Sequence, residues 1–153
     1  MRISAKVDYA LRAAVELAAH EDDDKLVTSE EIAERQNIPH AFLTNILQSL
    51  RQAGIVVSKR GPVGGHRLSK PAEEIVIADV IRAIDGPLAG VSGLHPEELE
   101  FGGSAKALQD VWIAVRANLR EILEHVTLAD VAEDDLPSIV GKRAADEDAW
   151  VSR

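Results

Sequence analysis

There is no cysteine in this 153-residue chain. That removes disulfides, thiolate nucleophiles and cysteine-held metals or clusters from consideration. Aromatic residues are scarce, at 3%, and the helix formers that dominate instead point to a mainly α protein. No apolar run approaches the ~18 residues needed to span a bilayer. The stretch Met1-Arg2-Ile3-Ser4-Ala5-Lys6-Val7-Asp8 lacks the continuous apolar core of a signal peptide, so a cytoplasmic protein is expected. Nucleophile elbow, P-loop and dinucleotide fingerprint are all missing, and an enzyme is not expected. The histidines (His20, His40, His66, His95 and His125) show no His-x-x-x-His spacing that would put two on one helix face. His95 with Glu97, Glu98 and Glu100 could grip a divalent metal in a loop, but solvated surface is the simpler reading. No metal and no cofactor is expected.

Acid is missing from one long stretch. The formal net charge is −9, but no Asp or Glu lies between Glu34 and Glu73, where Arg35, Arg51, Lys59, Arg60, Arg67 and Lys70 occur. Residues 1–70 hold 10 Lys/Arg and 9 Asp/Glu, whereas residues 71–153 hold 7 and 17. Binding to a polyanion depends on the field at the contact face and not on the total, so the acidic sum does not exclude a nucleic-acid partner.

Along the chain, Ser4 can cap a first helix from about Ala5 to His20, with Val7, Leu11, Ala14 and Ala18 as a narrow apolar stripe. Glu21-Asp22-Asp23-Asp24 is a self-repelling loop that should point away from phosphate. Thr28 and Glu31 form a capping box that opens a short second helix. Pro39 suits the start of a third helix running to about Ala53, and Gly54 is its natural stop. Phe42, Leu43, Ile46, Leu47 and Leu50 form its expected buried face. His40, Ala41, Thr44, Asn45, Gln48 and Arg51 form a polar, acid-free outer face suited to a DNA major groove. Strands at 55–59 and 66–69 flank the Gly61-Pro62-Val63-Gly64-Gly65 turn and make a basic hairpin. Three helices followed by such a hairpin constitute a winged helix-turn-helix.

A compact apolar helix is expected from Ile75 to Gly86, then a loop with a short turn near Pro96. Ser104 should cap a long last helix reaching about Val126. Leu108, Trp112, Val115, Leu119, Ile122 and Val126 recur at steps of 4, 3, 4, 3 and 4, the seam of helices that pack lengthwise. The small N-terminal domain cannot cover a seam ~27 Å long, so self-association into a homodimer is expected. The division is therefore 1–86 winged domain, 87–104 loop, 105–131 dimerisation region and 132–153 acidic, mobile tail.

The chain resembles the Rrf2 family of bacterial winged helix-turn-helix regulators. The resemblance rests on Met1-Arg2-Ile3-Ser4, Asp8-Tyr9-Ala10-Leu11-Arg12-Ala13, Ile38-Pro39, Leu50-Arg51-Gln52-Ala53-Gly54, Arg60-Gly61-Pro62, Gly64-Gly65 and the run from Asp79 to Gly86. It implies a homodimer, crossed through the long last helix, that binds a palindromic operator on double-stranded DNA, most simply as a repressor. It also implies base reading by Ala41, Thr44 and Asn45, with Arg60 reaching the minor groove. Phosphate contacts are expected from Arg2, His40, Gln48, Arg51, Lys59, His66, Arg67 and Lys70, which position the protein without reading sequence. Many relatives hold an iron–sulfur cluster through cysteines in the stretch equivalent to about 90–105, and this chain has none there. Asp8 matches a cluster ligand of one branch, but an ordinary first-turn helix acid is the simpler reading. A small-molecule or protein effector is possible in such a branch.

Two readings stay open at His66: a charged wing residue on phosphate, or a ring packed as the family's usual tyrosine would be. A rival function is a winged-helix adaptor or effector-controlled scaffold for which DNA is secondary; the acid-free basic wing argues against it. Because carboxylate and imidazole alone are poor substitutes for thiolates at iron–sulfur clusters, protein purified without oxygen should be colourless. A visible absorption band with stoichiometric iron and sulfide would refute this.

Overall fold

The computed structural model describes residues 3–23 and 25–152. Helix α1 (Ala5–Ala18) begins where Ser4 Oγ accepts from the Val7 amide at 3.1 Å. It buries Val7, Ala10, Ala13, Ala14 and Leu17. This short-side-chain face lets neighbouring helices approach closely, and α1 becomes the hub of the domain. Helix α2 (Ser29–Gln36) opens with the expected capping box: Thr28 Oγ1 accepts from the Glu31 amide at 3.2 Å, and Glu31 Oε2 from the Thr28 amide at 2.8 Å. The bond from the Thr28 amide is the main reason the Glu31 carboxyl drops to a pKa of about 2. Asn37, at φ 50°, ends α2 in the left-handed region and turns the chain into α3 (His40–Gln52).

Helix α3 buries Leu43, Ile46, Leu47 and Leu50. Phe42 is a correction: it is 58% exposed and not part of the buried face. At 3.6 residues per turn it sits about 90° from the middle of that face, with its ring 6.2 Å from that of Tyr9 between centroids. Gly54, at φ 74°, ends α3 with paired bonds, Gly54 N–H to Arg51 O and Ile55 N–H to Leu50 O.

Strands β1 (Val56–Lys59) and β2 (Gly65–Leu68) pair antiparallel, with Val56 opposite Leu68 and Ser58 opposite His66. A third short segment joins them. Val27 and His66 exchange backbone hydrogen bonds of 3.1 and 2.7 Å, which clamps the hairpin to the start of α2. The glycine pair makes this possible. A Cβ on Gly64 would lie 2.2 Å from the Lys59 carbonyl, and one on Gly65 would lie 2.7 Å from that of Val27.

The next helix starts later than expected. Residues 72–74 form a 3-10 turn, Ile75 and Val76 are extended, and α4 spans Ile77–Asp85. The extended pair exists because the chain returns to it. Leu128 N–H donates to Ile75 O at 2.8 Å, and Ile77 N–H to Val126 O at 2.9 Å. Short 3-10 turns at Pro96–Glu98 and Gly103–Ala105 lead into α5 (Leu108–Leu123). Ser104 therefore does not cap α5, whose N-cap position is Ala107.

Helix α5 buries none of its residues, yet Val126 just beyond it is 5% exposed and Leu128 fully buried. This corrects the expected seam: Val126 lies outside the helix and belongs to the winged domain, along with α6 (Leu128–Ala132), which packs on α1. The acidic tail is not structureless either. It forms α7 (Ser138–Ala144), tied to α5 by an Arg143–Glu121 ion pair at 3.8 Å. Trp150 donates its indole N–H to Ala144 O but leaves its ring exposed. Among the described residues no helix is long and apolar enough to cross a membrane.

If the return segment is part of the cooperative core, Leu128→Ala should lower unfolding stability by roughly 2–5 kcal/mol. A urea titration that finds a loss under about 1 kcal/mol, typical of surface positions, would detach this segment from the core.

Candidate nucleic-acid interface

The outer face of α3 carries His40, Ala41, Thr44, Asn45, Gln48 and Arg51, all exposed. Between α3, the N-terminus of α2 and the hairpin lies a cleft of about 410 Å³. It gathers Thr44, Gln48, Arg51, Lys59, Arg60 and His66 from the expected set. Ala41, Asn45 and His40 lie on α3 beyond the cleft, with His40 Nε2 3.5 Å from Glu30 Oε1. Arg67 pairs with Val57 on the opposite face of the hairpin from His66, where it lines a separate hollow with Lys59. Lys70 is separate again, near the C-terminal end of α3 beside Gly54 and Asp79. Arg2 lies outside the described residues.

Sequence reasoning missed one wall of the cleft. Thr28, Ser29 and Glu30 bring the first turn of α2 to it, and a helix N-terminus carries partial positive charge. The capping box gave the position of that terminus but not what faced it. Glu30 is the only acid among the described residues lining the cleft, against Arg51, Lys59 and Arg60. Glu21, Asp22 and Asp23 do not line it, and both Glu21 carboxylate oxygens accept from the Ala72 amide at 3.1 Å instead. Arg35 also drops out of the basic surface. It donates to buried Glu16 at 3.0 Å, which raises its pKa further, while Gln36 donates to the other Glu16 oxygen at 2.6 Å.

His66 is half-buried and engaged at both ring nitrogens. Nε2 is 2.9 Å from Ser29 Oγ, and Nδ1 is 2.8 Å from Ser58 Oγ. Burial first, and then the positive charge of Arg51, push the imidazole below its ordinary 6.5, with Glu30 opposing. The ring joins the hairpin to α2, as a packing residue would; it is not held out toward a phosphate.

The chain matches the model of the Rrf2 family, described as iron-dependent transcriptional regulators, over residues 3–134. A Mycobacterium tuberculosis H37Rv protein assigned by name to the HTH-type transcriptional regulators is 47% identical over 146 residues, 95% of this chain and 90% of that protein. The structure of CymR, the global cysteine regulator of B. subtilis, is similar with a TM-score of 0.73 at 32% identity, covering 87% of this chain and 97% of its own. That of T. potens IscR gives 0.71 at 29%, covering 100% and 93%. Iron dependence does not fit the residues present. There is no thiolate, and among the described residues no group of three or more His, Asp or Glu is placed to hold a metal. Asp8 pairs with Arg12 at 3.4 Å, Glu97 with Arg116, and Glu98 accepts from the His95 amide at 2.9 Å.

A histidine whose folded pKa is depressed stabilises the fold above its unfolded pKa of 6.5, and that contribution is lost as pH falls toward the folded value. The His66 ring resonances should therefore titrate with a midpoint below 6.5, and the protection of the Val27 and His66 amides, relative to their intrinsic exchange rates, should fall as pH drops below it. Operator binding should show equal pH dependence in wild type and His66→Tyr. A midpoint above 6.5, or a pH dependence that disappears in the variant, would restore the charged-wing reading.

Proposed function

The chain belongs to the Rrf2 family of transcriptional regulators, and from that premise we propose that it represses transcription by binding a palindromic operator as a homodimer. The observation that carries this is the acid-free outer face of α3 beside a cleft that gathers Arg51, Lys59 and Arg60. In this reading α3 enters the major groove. Asn45 pairs with an adenine edge, and Ala41 and the Thr44 methyl meet thymine methyls. Arg60, at the hairpin turn, reaches an adjacent narrow minor groove. The phosphate strand between the two grooves runs along the cleft, past Gln48, Arg51, Lys59 and the α2 N-terminus. His40, Arg67 and Lys70 supply more distant phosphate contacts. Work on DNA places the protein in the cytoplasm.

Dimerisation through α5 is supported by what that helix leaves uncovered. Leu108 is 41% exposed, Val111 49% and Val115 37%. The chain as a whole exposes 9949 Å², against about 7,600 Å² for a compact monomer of its mass. Trp112 and Ile122 are half-covered, while Leu119 lines a hollow of about 110 Å³ with Val7 and Ile81 of its own chain. Leu119 therefore serves the fold as well as the seam, and the cleaner test of the seam is at Val111 and Val115. A two-fold dimer reads two inverted half-sites about 34 Å apart, one turn of the duplex.

Selection of bound fragments from a genomic library should recover an inverted repeat. Asn45→Ala should weaken that site by about 1–3 kcal/mol and relax one base pair per half-site. Val111→Lys with Val115→Lys should sediment as a monomer and lose the repeat. No enrichment over random DNA would favour an adaptor role, and an unchanged sedimentation coefficient in the double variant would remove α5 as the interface.

A further inference from the structure

Beyond residue 70 the chain is strongly acidic, with 17 Asp/Glu against 7 Lys/Arg. A cavity of about 270 Å³ in that half is nonetheless lined by Arg82, Arg116, Arg120 and His95, over a wall that includes Pro87 and Leu88. Among the described residues no carboxylate lines it. The acids that neutralise these arginines lie outside the lining. Arg82 pairs with Glu124 and, at 3.4 Å, with Asp79; Arg120 stands 3.5 Å from Glu124; and Glu97 takes Arg116. Each guanidinium has five N–H donors, and a carboxylate occupies two at most, so donors remain for the cavity. The Arg120 side chain is the least committed, its one partner among the described residues being Glu124 at 3.5 Å. The cavity has a defined wall, because Gln109 of α5 donates to Leu99 O at 2.8 Å and the Pro96–Glu98 turn packs on the same helix.

We propose that this cavity is a binding site for a small polyvalent oxyanion, a short dicarboxylate or a phosphorylated metabolite. A ligand with several acceptor oxygens can engage the remaining donors of three guanidinium groups around one space in charge-assisted, fork-shaped bonds. The volume is that of about nine waters, enough for inorganic phosphate or succinate. The site also bridges two helices. Arg82 belongs to α4 of the winged domain, and Arg116 and Arg120 belong to α5. An anion that draws Arg82 and Arg120 from Glu124, and Arg116 from Glu97, resets the angle of α5 against the winged domain. In a dimer joined through α5, that angle sets the half-site spacing. The binding is independent of the proposed function; only this coupling rests on it.

The full chain is titrated with succinate and, separately, with inorganic phosphate, at constant ionic strength in chloride, following thermal midpoint and Arg side-chain Nε–Hε resonances. Saturable stabilisation is expected from at least one anion, and the relative response of the two identifies the ligand class. Arg120→Gln, at a half-exposed position where folding is not at stake, and Arg116→Gln should each weaken binding roughly tenfold or more. Arg120→Lys should recover part of it, and Arg51→Gln, in the cleft beside α3, should leave it intact. No saturable response to either anion overturns the site. So does a response that survives Arg116→Gln and Arg120→Gln but vanishes in Arg51→Gln, since the anion then sits on the DNA face. Operator affinity should shift severalfold with anion in wild type and not in Arg120→Gln; an unchanged affinity overturns the coupling. Absence of any operator in chloride alone marks failure of the DNA-binding reading instead.

Discussion

The alanine face of α1 is the constraint on which the rest of the molecule depends. Ala10, Ala13 and Ala14 have no exposed surface, and α2, α3, α4, α6 and β2 all pack against this one helix. So many elements can share one helix only because its buried side chains are short. A larger residue there forces backbone shifts as well as rotamer strain. The next turn adds direction to proximity. Buried Glu16 holds both Arg35 and Gln36, which sets how α2 lies across α1. Once α2 is placed, so are Thr28 and Ser29 at its start, and Ser29 in turn holds His66 of the hairpin. The position of the basic turn thus traces back, contact by contact, to three methyl groups.

That chain of contacts also explains how an acidic protein presents a cationic cleft. Proximity in sequence did not decide which cations face outward. Arg35, inside the acid-free stretch, is consumed by Glu16, and Lys70 is carried to the far end of α3. Arg51, Lys59 and Arg60 remain together because the end of α3 and the hairpin turn converge beside the first turn of α2. The focused field of a concave surface matters more than a net charge summed over a chain whose excess acid lies in its C-terminal half.

Features set by near neighbours were legible in the sequence. Ser4, the Thr28–Glu31 box, Gly54 as a stop and Gly64 in the hairpin turn each depend on residues a few positions away, and each stands where the sequence places it. Features set by distant partners were not. Phe42 has the right spacing for the core, but four neighbours on α3 already fill that face. The heptad count runs on to Val126 without registering that the helix has ended at Leu123 and the chain has turned back to pair with Ile77. Ser29 holds His66 across 37 residues, a separation no local pattern reports. On the candidate interface, the outer face of α3 could be read from helical period alone, whereas the α2 wall of the cleft is a product of tertiary packing.

Helix α5 answers to several demands at once. Leu108, Val111 and Val115 face outward, Leu119 and Leu123 turn toward the winged domain, and Arg116 and Arg120 face the cavity beside the loop. Its two ends are tied down while its sides stay uncovered, so its angle is set by few contacts. A loop stapled to a helix by thiolate-bound metal is stiff and changes state by electron transfer or loss of the metal. Here the same span is held by Gln109 on a carbonyl, by the Arg116–Glu97 pair, and by Glu124 pairing with the partly exposed Arg82 and Arg120 side chains. Such pairs contribute only about 0–1 kcal/mol each and weaken with salt. A joint held so softly can be shifted by a competing anion of modest affinity, without any redox chemistry, because each internal carboxylate is itself only a weakly held ligand for its arginine.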